Sequence, residues 1–309
     1  MQTDFLSNLR RAFPALKLLE AEPLSGHTTF RIGGPAPMAF PSDAGVMAAV
    51  YRFCLERGVR PLILGAGSNV LAPDSGLNRL VLCTREMTGL TAQGTVLTAE
   101  CGVLLSRLAS FARDQGLTGL EFAHGIPGTV GGGIYMNAGA YGGELKDAAI
   151  WTEALLPDGT LWRAEGEDQG FGYRNSAFQR RGAVILRAAF RLTPGDPDAI
   201  AETMRDLSQR RRASQPLDLP SAGSTFKRPQ SGYAAALIEG AGLKGKGVGA
   251  AAVSEKHAGF VVNLGGATEA DVLATMELVR QTVLEQSGVT LEPEVRLWGM
   301  ETEEPSCNL

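Results

Sequence analysis

The sequence predicts an α+β fold built around more than one hydrophobic core, and three observations carry that prediction. The 309 residues exceed one average domain, and 44% are hydrophobic, enough for a two- or three-part architecture. An apolar strand-like run beside a segment of helical periodicity occurs twice before Gly116, and a hairpin pattern then takes over. A basic, proline-flanked stretch around residues 210–220 opens a second region of strands and helices.

In chain order, Ser42 reads as the cap of a helix carrying Val46, Val50, Phe53 and Cys54 on one face and ending at Gly58. Residues 61–64 read as a buried strand. The unit repeats as a strand at 96–99 and a helix with Leu104, Leu108, Phe111 and Ala112 on its face, stopped by Gly116. Residues 149–156 and 160–163, joined by Pro157-Asp158-Gly159, read as an antiparallel hairpin, and 183–192 as a further strand. The helical stretch 198–213 ends in Arg210-Arg211-Arg212, a triplet suited to the negative end of a helix dipole. Beyond Pro216 and Pro220 come a short helix at 233–239 and strands near 250–253 and 259–263. A long helix opened by Thr268 then carries Val272, Met276, Val279 and Val283 on one face and stops at Gly288. A strand at 294–298 and a polar tail, expected to be disordered, follow.

Composition excludes several function classes. Lys plus Arg number 29 against 33 for Asp plus Glu, a net charge of -4, so there is no basic footprint for nucleic acid or an anionic membrane. A polyanionic ligand must be met by a local site. The first residues lack a signal-peptide pattern and no stretch approaches the roughly 20 apolar residues of a membrane span, so a cytoplasmic location is expected. No obligate protein partner is indicated. Cys54, Cys83, Cys101 and Cys307 form no CxxC pair and read as buried or inert thiols. His27, His124 and His257 show no metal-ligand spacing, so no metal is expected.

Glycine is the first functional hint, because much of it falls where backbone must approach a ligand. Gly65-Ala66-Gly67-Ser68-Asn69 follows a predicted strand, as a dinucleotide turn would. However, Val70 stands at the third glycine position, and Pro73 prevents the loop from opening a helix, so it must bind through its own amides. The second loop spans residues 125–142, with Gly128, Thr129, Gly132, Asn137, Ala138 and Gly139 as its candidate ligand contacts. Either loop alone reads equally as a ligand-free tight turn. Two together point to a clamp for one extended phosphate ligand.

The sequence also contains, in order, Thr29-Phe30-Arg31-Ile32-Gly33-Gly34, Phe171-Gly172-Tyr173-Arg174-Asn175-Ser176 and Ala222-Gly223-Ser224-Thr225-Phe226-Lys227. Lys256-His257-Ala258-Gly259-Phe260 and Glu292-Pro293-Glu294-Val295-Arg296 follow. With both glycine loops, this ordered set resembles the UDP-N-acetylenolpyruvoylglucosamine reductase family. The resemblance implies an FAD-binding region of the vanillyl-alcohol-oxidase type over residues 1–212, in two α+β subdomains divided near residue 75. It implies a smaller α+β substrate-binding domain over 213–290 and a strand at 291–300 returning to the first region, with 301–309 as a tail. The short spacing looks like the family's compact form, without the long form's inserted tyrosine-bearing loop.

The resemblance further implies NADPH-dependent, FAD-mediated reduction of UDP-N-acetylglucosamine enolpyruvate to UDP-N-acetylmuramate, in peptidoglycan precursor synthesis. Its catalytic trio falls on Arg174, Ser224 and Glu294. The chemistry explains the residue types: hydride added at C3 of an enol ether leaves negative charge at C2 that spreads onto the neighbouring carboxylate. Arg174 offers a permanently charged planar fork to that carboxylate, and Ser224 is the expected proton donor to C2. An ionised Glu294 would repel the developing charge, so it is either protonated in a dry site or balanced by Arg296. Tyr173, Lys227, Lys244 and Arg296 are the expected substrate contacts. The Ser68-Asn69 sequence lacks the histidine by which related oxidases tether flavin, so FAD is expected to be noncovalent. Two rival readings remain: a flavin-dependent sugar or alcohol oxidase, and a nucleotide-binding protein in which nothing reacts.

Overall fold

The computed structural model describes residues 3–230 and 232–299. The expected tail and Cys307 lie outside these residues. Lys17–Pro23 pairs antiparallel with Pro35–Phe40, and Val81–Cys83 and Leu62–Leu64 extend this four-stranded sheet in parallel. The helix Ala44–Leu55 buries Met47, Val50 and Cys54 against the core, because these positions fall on one helical face. Its cap is Asp43, not Ser42: the Asp43 carboxylate accepts from the Val46 N–H at 2.9 Å, while the Ser42 hydroxyl donates to Asp43 at 2.8 Å. A carboxylate next to the helix start outcompetes the hydroxyl for the free amide.

The five-stranded sheet is antiparallel throughout, in the order Leu161–Glu165, Ala149–Leu155, Val184–Arg191, Val96–Glu100 and Leu90–Gln93. The predicted hairpin is its first pair. Against it packs the helix Leu105–Asp114, with Leu105, Leu108, Ala109 and Ala112 buried. Leu104 precedes the helix and is exposed, so the apolar face starts one residue later than the periodicity predicts.

Residues 130–136, read from sequence as loop, form a helix, Val130–Met136, capped by Thr129. Three successive glycines oppose helix formation by about 1 kcal/mol each relative to alanine. Packing overrides that cost. A Cβ at Gly131 would sit 2.9 Å from Cys101 Cβ, and one at Gly133 2.7 Å from Leu145 Cδ1, so only glycines let this helix lie against its neighbours.

The helix Pro197–Ser214 leads into a third sheet, Gly247–Val248, Ala251–Val253 and Val261–Asn263, covered by Ala234–Gly240 and Glu269–Ser287. Thr268 and Asp271 form a capping box at the start of the last helix, and Gly288 ends it in the left-handed region with φ 70°. Within the expected strand at 294–298, only Arg296–Leu297 is β-structure, and it runs parallel to Val70–Leu71 directly after the first glycine loop. Cys54, Cys83 and Cys101 are buried, and burial pushes the Cys54 thiol up to about 12. No helix among the described residues is long and apolar enough to cross a membrane.

Candidate active site

The first glycine loop turns its carbonyls inward. Ala66 O accepts from Arg85 Nη2 at 3.1 Å, Gly67 O from the Thr29 N–H at 3.1 Å and Asn69 O from the Arg296 N–H at 3.0 Å. The N–H groups of Ala66, Gly67, Ser68 and Asn69 donate to no acceptor among the described residues, leaving four successive donors for an anion. Strand Val70–Leu71 follows the loop, so no helix N-terminus contributes there. Gly67 has φ +66°, and a Cβ there would collide with the His27 carbonyl. The glycine is therefore already required by the fold.

The two glycine loops abut. A Cβ at Gly65 would lie 2.5 Å from Thr129 Oγ1, and one at Gly128 3.7 Å from Ser68 Oγ. Gly132 differs from its neighbours: it is exposed, and a Cβ there would meet only Thr129 Oγ1, at 3.8 Å. Asn137 is left-handed, with φ 44°, and its amide is committed to protein. Its Nδ2 donates to Glu144 Oε2 at 2.9 Å and to the Gly172 carbonyl at 3.1 Å, while Oδ1 accepts from the Lys146 N–H at 3.1 Å. Ala138 donates its N–H to Gly133 O, and Gly139 pairs with Glu144 in a short ribbon that a Cβ would spoil.

Through Gly172, Asn137 braces the turn that presents Arg174. That turn is closed by Gly172–Asn175 hydrogen bonds of 3.0 and 3.3 Å, and Arg174 sits at φ 51°, a strained value for a residue with a side chain. Arg174 Nε donates to Glu294 Oε1 at 2.6 Å, and both side chains are mostly buried. Burial pushes Glu294 above the ordinary carboxylate range, while Arg174 and, further off, Lys227 pull it back. The net direction is up.

Residues 224–227 reach the same place through the backbone. The Glu294 N–H donates to Thr225 O and the Lys227 N–H to Glu292 O, each at 2.8 Å, which puts Ser224 directly before a residue bonded to Glu294. No group among the described residues hydrogen-bonds the Ser224 hydroxyl. The structure therefore brings Arg174, Glu294 and the Ser224 segment together from positions 120 residues and 70 residues apart in sequence. Arg296 does not balance Glu294; its Nη2 donates to Tyr135 Oη at 3.1 Å, and the partner of Glu294 is Arg174.

Lys227 Nζ lies 3.3 Å from Glu292, largely exposed, and Lys244 Nζ lies 2.5 Å from Glu239. No contact among the described residues joins Lys244 to the Arg174–Glu294 pair. Tyr173 is exposed and its Oη accepts from the Arg228 N–H at 3.1 Å; the Arg228 guanidinium stacks 4.1 Å from the Tyr233 ring.

One charged group escaped the sequence reading. Arg211 continues the stripe of Ile200, Met204 and Leu207 at i, i+4, i+7 and i+11, so it faces inward whereas Arg210 pairs with Asp206 on the surface. Its guanidinium has no carboxylate partner among the described residues, and burial lowers its pKa. Its Cδ would lie 3.2 Å from a Cβ at Gly125, at the mouth of the second glycine loop. The signal was the apolar stripe, hidden inside what looked like a helix-end triplet.

Comparisons with known proteins agree with this arrangement. Residues 35–165 match an FAD binding domain, and residues 215–298 match the C-terminal domain of UDP-N-acetylenolpyruvoylglucosamine reductase. The chain is 44% identical, over 96% of its length and 99% of the relative's, to the UDP-N-acetylenolpyruvoylglucosamine reductase of Limosilactobacillus fermentum. It is 45% identical to that of Rubrobacter xylanophilus, over 94% of this chain and 98% of that one. The crystal structure of the UDP-N-acetylenolpyruvylglucosamine reductase of Thermus caldophilus superposes with a TM-score of 0.78 at 34% identity, covering 92% of this chain and 99% of that one. With its α+β flavin-binding region, its family-specific C-terminal domain and full-length identity at this level, the chain belongs to the UDP-N-acetylenolpyruvoylglucosamine reductase family.

Proposed function

We propose that this protein is an NADPH-dependent flavoenzyme that reduces UDP-N-acetylglucosamine enolpyruvate to UDP-N-acetylmuramate for peptidoglycan, acting in the cytoplasm. The observation that carries the reading is the Arg174–Glu294 pair, held against the Ser224 segment and reached from the same side by the first glycine loop. Asn69 makes that last link directly, its Nδ2 donating to the Glu294 carbonyl at 3.1 Å. In this reading residues 1–212 hold the cofactor, 213–290 the substrate, and the segment from 291 ties the two together.

The chain fits FAD: four unpaired amides at 66–69 suit its pyrophosphate, and the bare surface at Gly132 admits it closely. When bound, FAD carries hydride from NADPH to substrate carbon. The chain's own residues do the rest. Arg174 spends Nε on Glu294, which leaves its two Nη groups to receive the substrate carboxylate as charge spreads onto it. Ser224 Oγ, hydrogen-bonded to no group among the described residues, gives its proton to C2. Glu294, raised by burial, accepts from Arg174 Nε and holds the guanidinium in place. Lys227 and Arg211, which has no carboxylate partner among the described residues, are the cations offered to phosphates, with Tyr173 and Arg296 as further substrate contacts.

The decisive experiment is the absorption spectrum of purified protein before and after anaerobic NADPH, then after substrate. Yellow protein that bleaches and recovers its colour with UDP-N-acetylglucosamine enolpyruvate is expected; no bleaching would leave the reading without support. Denaturation should release intact FAD, whereas flavin retained on the unfolded chain would exclude noncovalent binding. Gly132→Ala gives a sharper test of the cofactor wall. Its added helix propensity should stabilise the flavin-free protein by up to about 1 kcal/mol, yet the new methyl should lower flavin occupancy. Melting of apoprotein and fluorimetric FAD titration read the two effects separately. Gly67→Val cannot serve, since its collision with His27 O would disturb the fold itself.

A further inference from the structure

The Ser224 hydroxyl has no hydrogen-bond partner among the described residues, so its place depends on how the backbone around it is anchored. Downstream the anchoring is dense: the Thr225 N–H donates to Gly259 O, Thr225 Oγ1 accepts from the Val261 N–H at 2.9 Å, and Thr225 O accepts from Glu294. Upstream, Gly223 adopts φ +76°, a conformation that offers no side-chain hold. Ala222 packs in the buried core of this region and Ser221 bridges Val262, while the nearest upstream hydrogen bonds are at residues 220–221. There the Asn263 N–H donates to Pro220 O, and the Ser221 carbonyl accepts a 2.6 Å hydrogen bond from Thr29 Oγ1, 192 residues away.

Thr29 is also fastened to the cofactor side: its N–H donates to Gly67 O at 3.1 Å, and its hydroxyl lies 3.4 Å from the same carbonyl. The Phe30 carbonyl accepts from Asn263 Nδ2 at 3.0 Å, so residues 29–30 bridge the first glycine loop and the serine segment. The hydroxyl is the side-chain link in that bridge. Losing it would remove a side-chain fastening between residue 29 and the 220–224 segment, together with the hydroxyl's longer 3.4 Å contact to Gly67 O, while leaving the 3.1 Å backbone bond to Gly67 in place.

We propose that Thr29 is a positioning residue for proton delivery: its hydroxyl bond to the Ser221 carbonyl registers Ser224 Oγ against the cofactor-bound substrate. The inference rests on the reading of Ser224 as proton donor. A displacement of about 1 Å in a reacting group can cost on the order of 10²-fold, so an effect of about 10- to 10²-fold on one step is expected.

The test uses the flavin-loaded full chain as Thr29→Val, which keeps shape but removes the donor, and Thr29→Ser, which keeps the donor. In Thr29→Val, FAD occupancy and bleaching by NADPH should stay within about two-fold of wild type, while reoxidation by UDP-N-acetylglucosamine enolpyruvate slows by about 10- to 10²-fold. The solvent deuterium isotope effect on reoxidation should rise as proton transfer becomes limiting. Thr29→Ser should restore both. In a Ser224→Ala background, Thr29→Val should add little, because the two changes act on one step. Loss of flavin in Thr29→Val, equal slowing of both half-reactions, equal behaviour of the valine and serine variants, or full additivity with Ser224→Ala would each overturn the inference. If Ser224→Ala alone reoxidised at the wild-type rate, the proton-donor reading would fall and this proposal with it. A slow Ser224→Ala beside a normal Thr29→Val would remove this proposal only.

Discussion

In Ser224→Ala the bound flavin should bleach with NADPH at close to the wild-type rate and then reoxidise with substrate about 10²- to 10⁴-fold more slowly. The separation follows from the proposed roles. Reducing the flavin needs no proton delivered to substrate carbon, whereas saturating the enolpyruvyl double bond needs both hydride at C3 and a proton at C2. Ser224 belongs to the second requirement alone. Its side chain makes no hydrogen bond among the described residues, so replacement by alanine leaves none of their buried groups unsatisfied and the fold should be unaffected. Stopped-flow absorbance follows both steps in one sample. Equal loss of both steps, or turnover within a few-fold of wild type, would show that the proton comes from elsewhere.

Arg174→Lys should cost about 10²- to 10³-fold in the same reoxidation step. The reason lies in how the guanidinium is divided. Nε is taken by Glu294 at 2.6 Å, and the two Nη nitrogens remain for the substrate carboxylate. A lysine has a single nitrogen and cannot satisfy both at once. Arg174→Gln extends the test to pH. Removing the cation withdraws the influence that holds Glu294 down, so its raised pKa should rise further. A carboxyl whose folded-state pKa lies above its unfolded value contributes stability while protonated, below the unfolded pKa, and loses it as pH rises through the folded pKa. The melting-temperature deficit of Arg174→Gln against wild type should therefore widen from acidic toward alkaline pH. A deficit independent of pH would mean that Glu294 is not the buried charge responsible.

How much of the site was legible in the sequence differs residue by residue. The motif order singled out Arg174, Ser224 and Glu294, but the partner of Glu294 did not follow from spacing. In a regular strand residues two apart share a face, which would pair Arg296 with Glu294, but the strand covers only Arg296–Leu297 and Arg296 meets Tyr135 instead. For Asn137, a candidate ligand contact, the sequence did not show that its side-chain amide bonds within the protein and braces the turn of Arg174.

By itself the sequence determined what local chemistry can determine. Thr268 and Gly288 bound the last helix, Pro157-Asp158-Gly159 turns the hairpin, and Val70 with Pro73 denies the first glycine loop a following helix. Each is settled by a few adjacent residues through capping, turn geometry or a missing N–H. Only the tertiary structure decided that residues 130–136 are helical, that Arg211 faces inward with no carboxylate partner among the described residues, and that Thr29 ties Gly67 to Ser221. Those outcomes depend on contacts with residues far away in the chain. Cys101 and Leu145 must be in place before Gly131 and Gly133 gain from having no side chain, and no local preference of a glycine run records that neighbour.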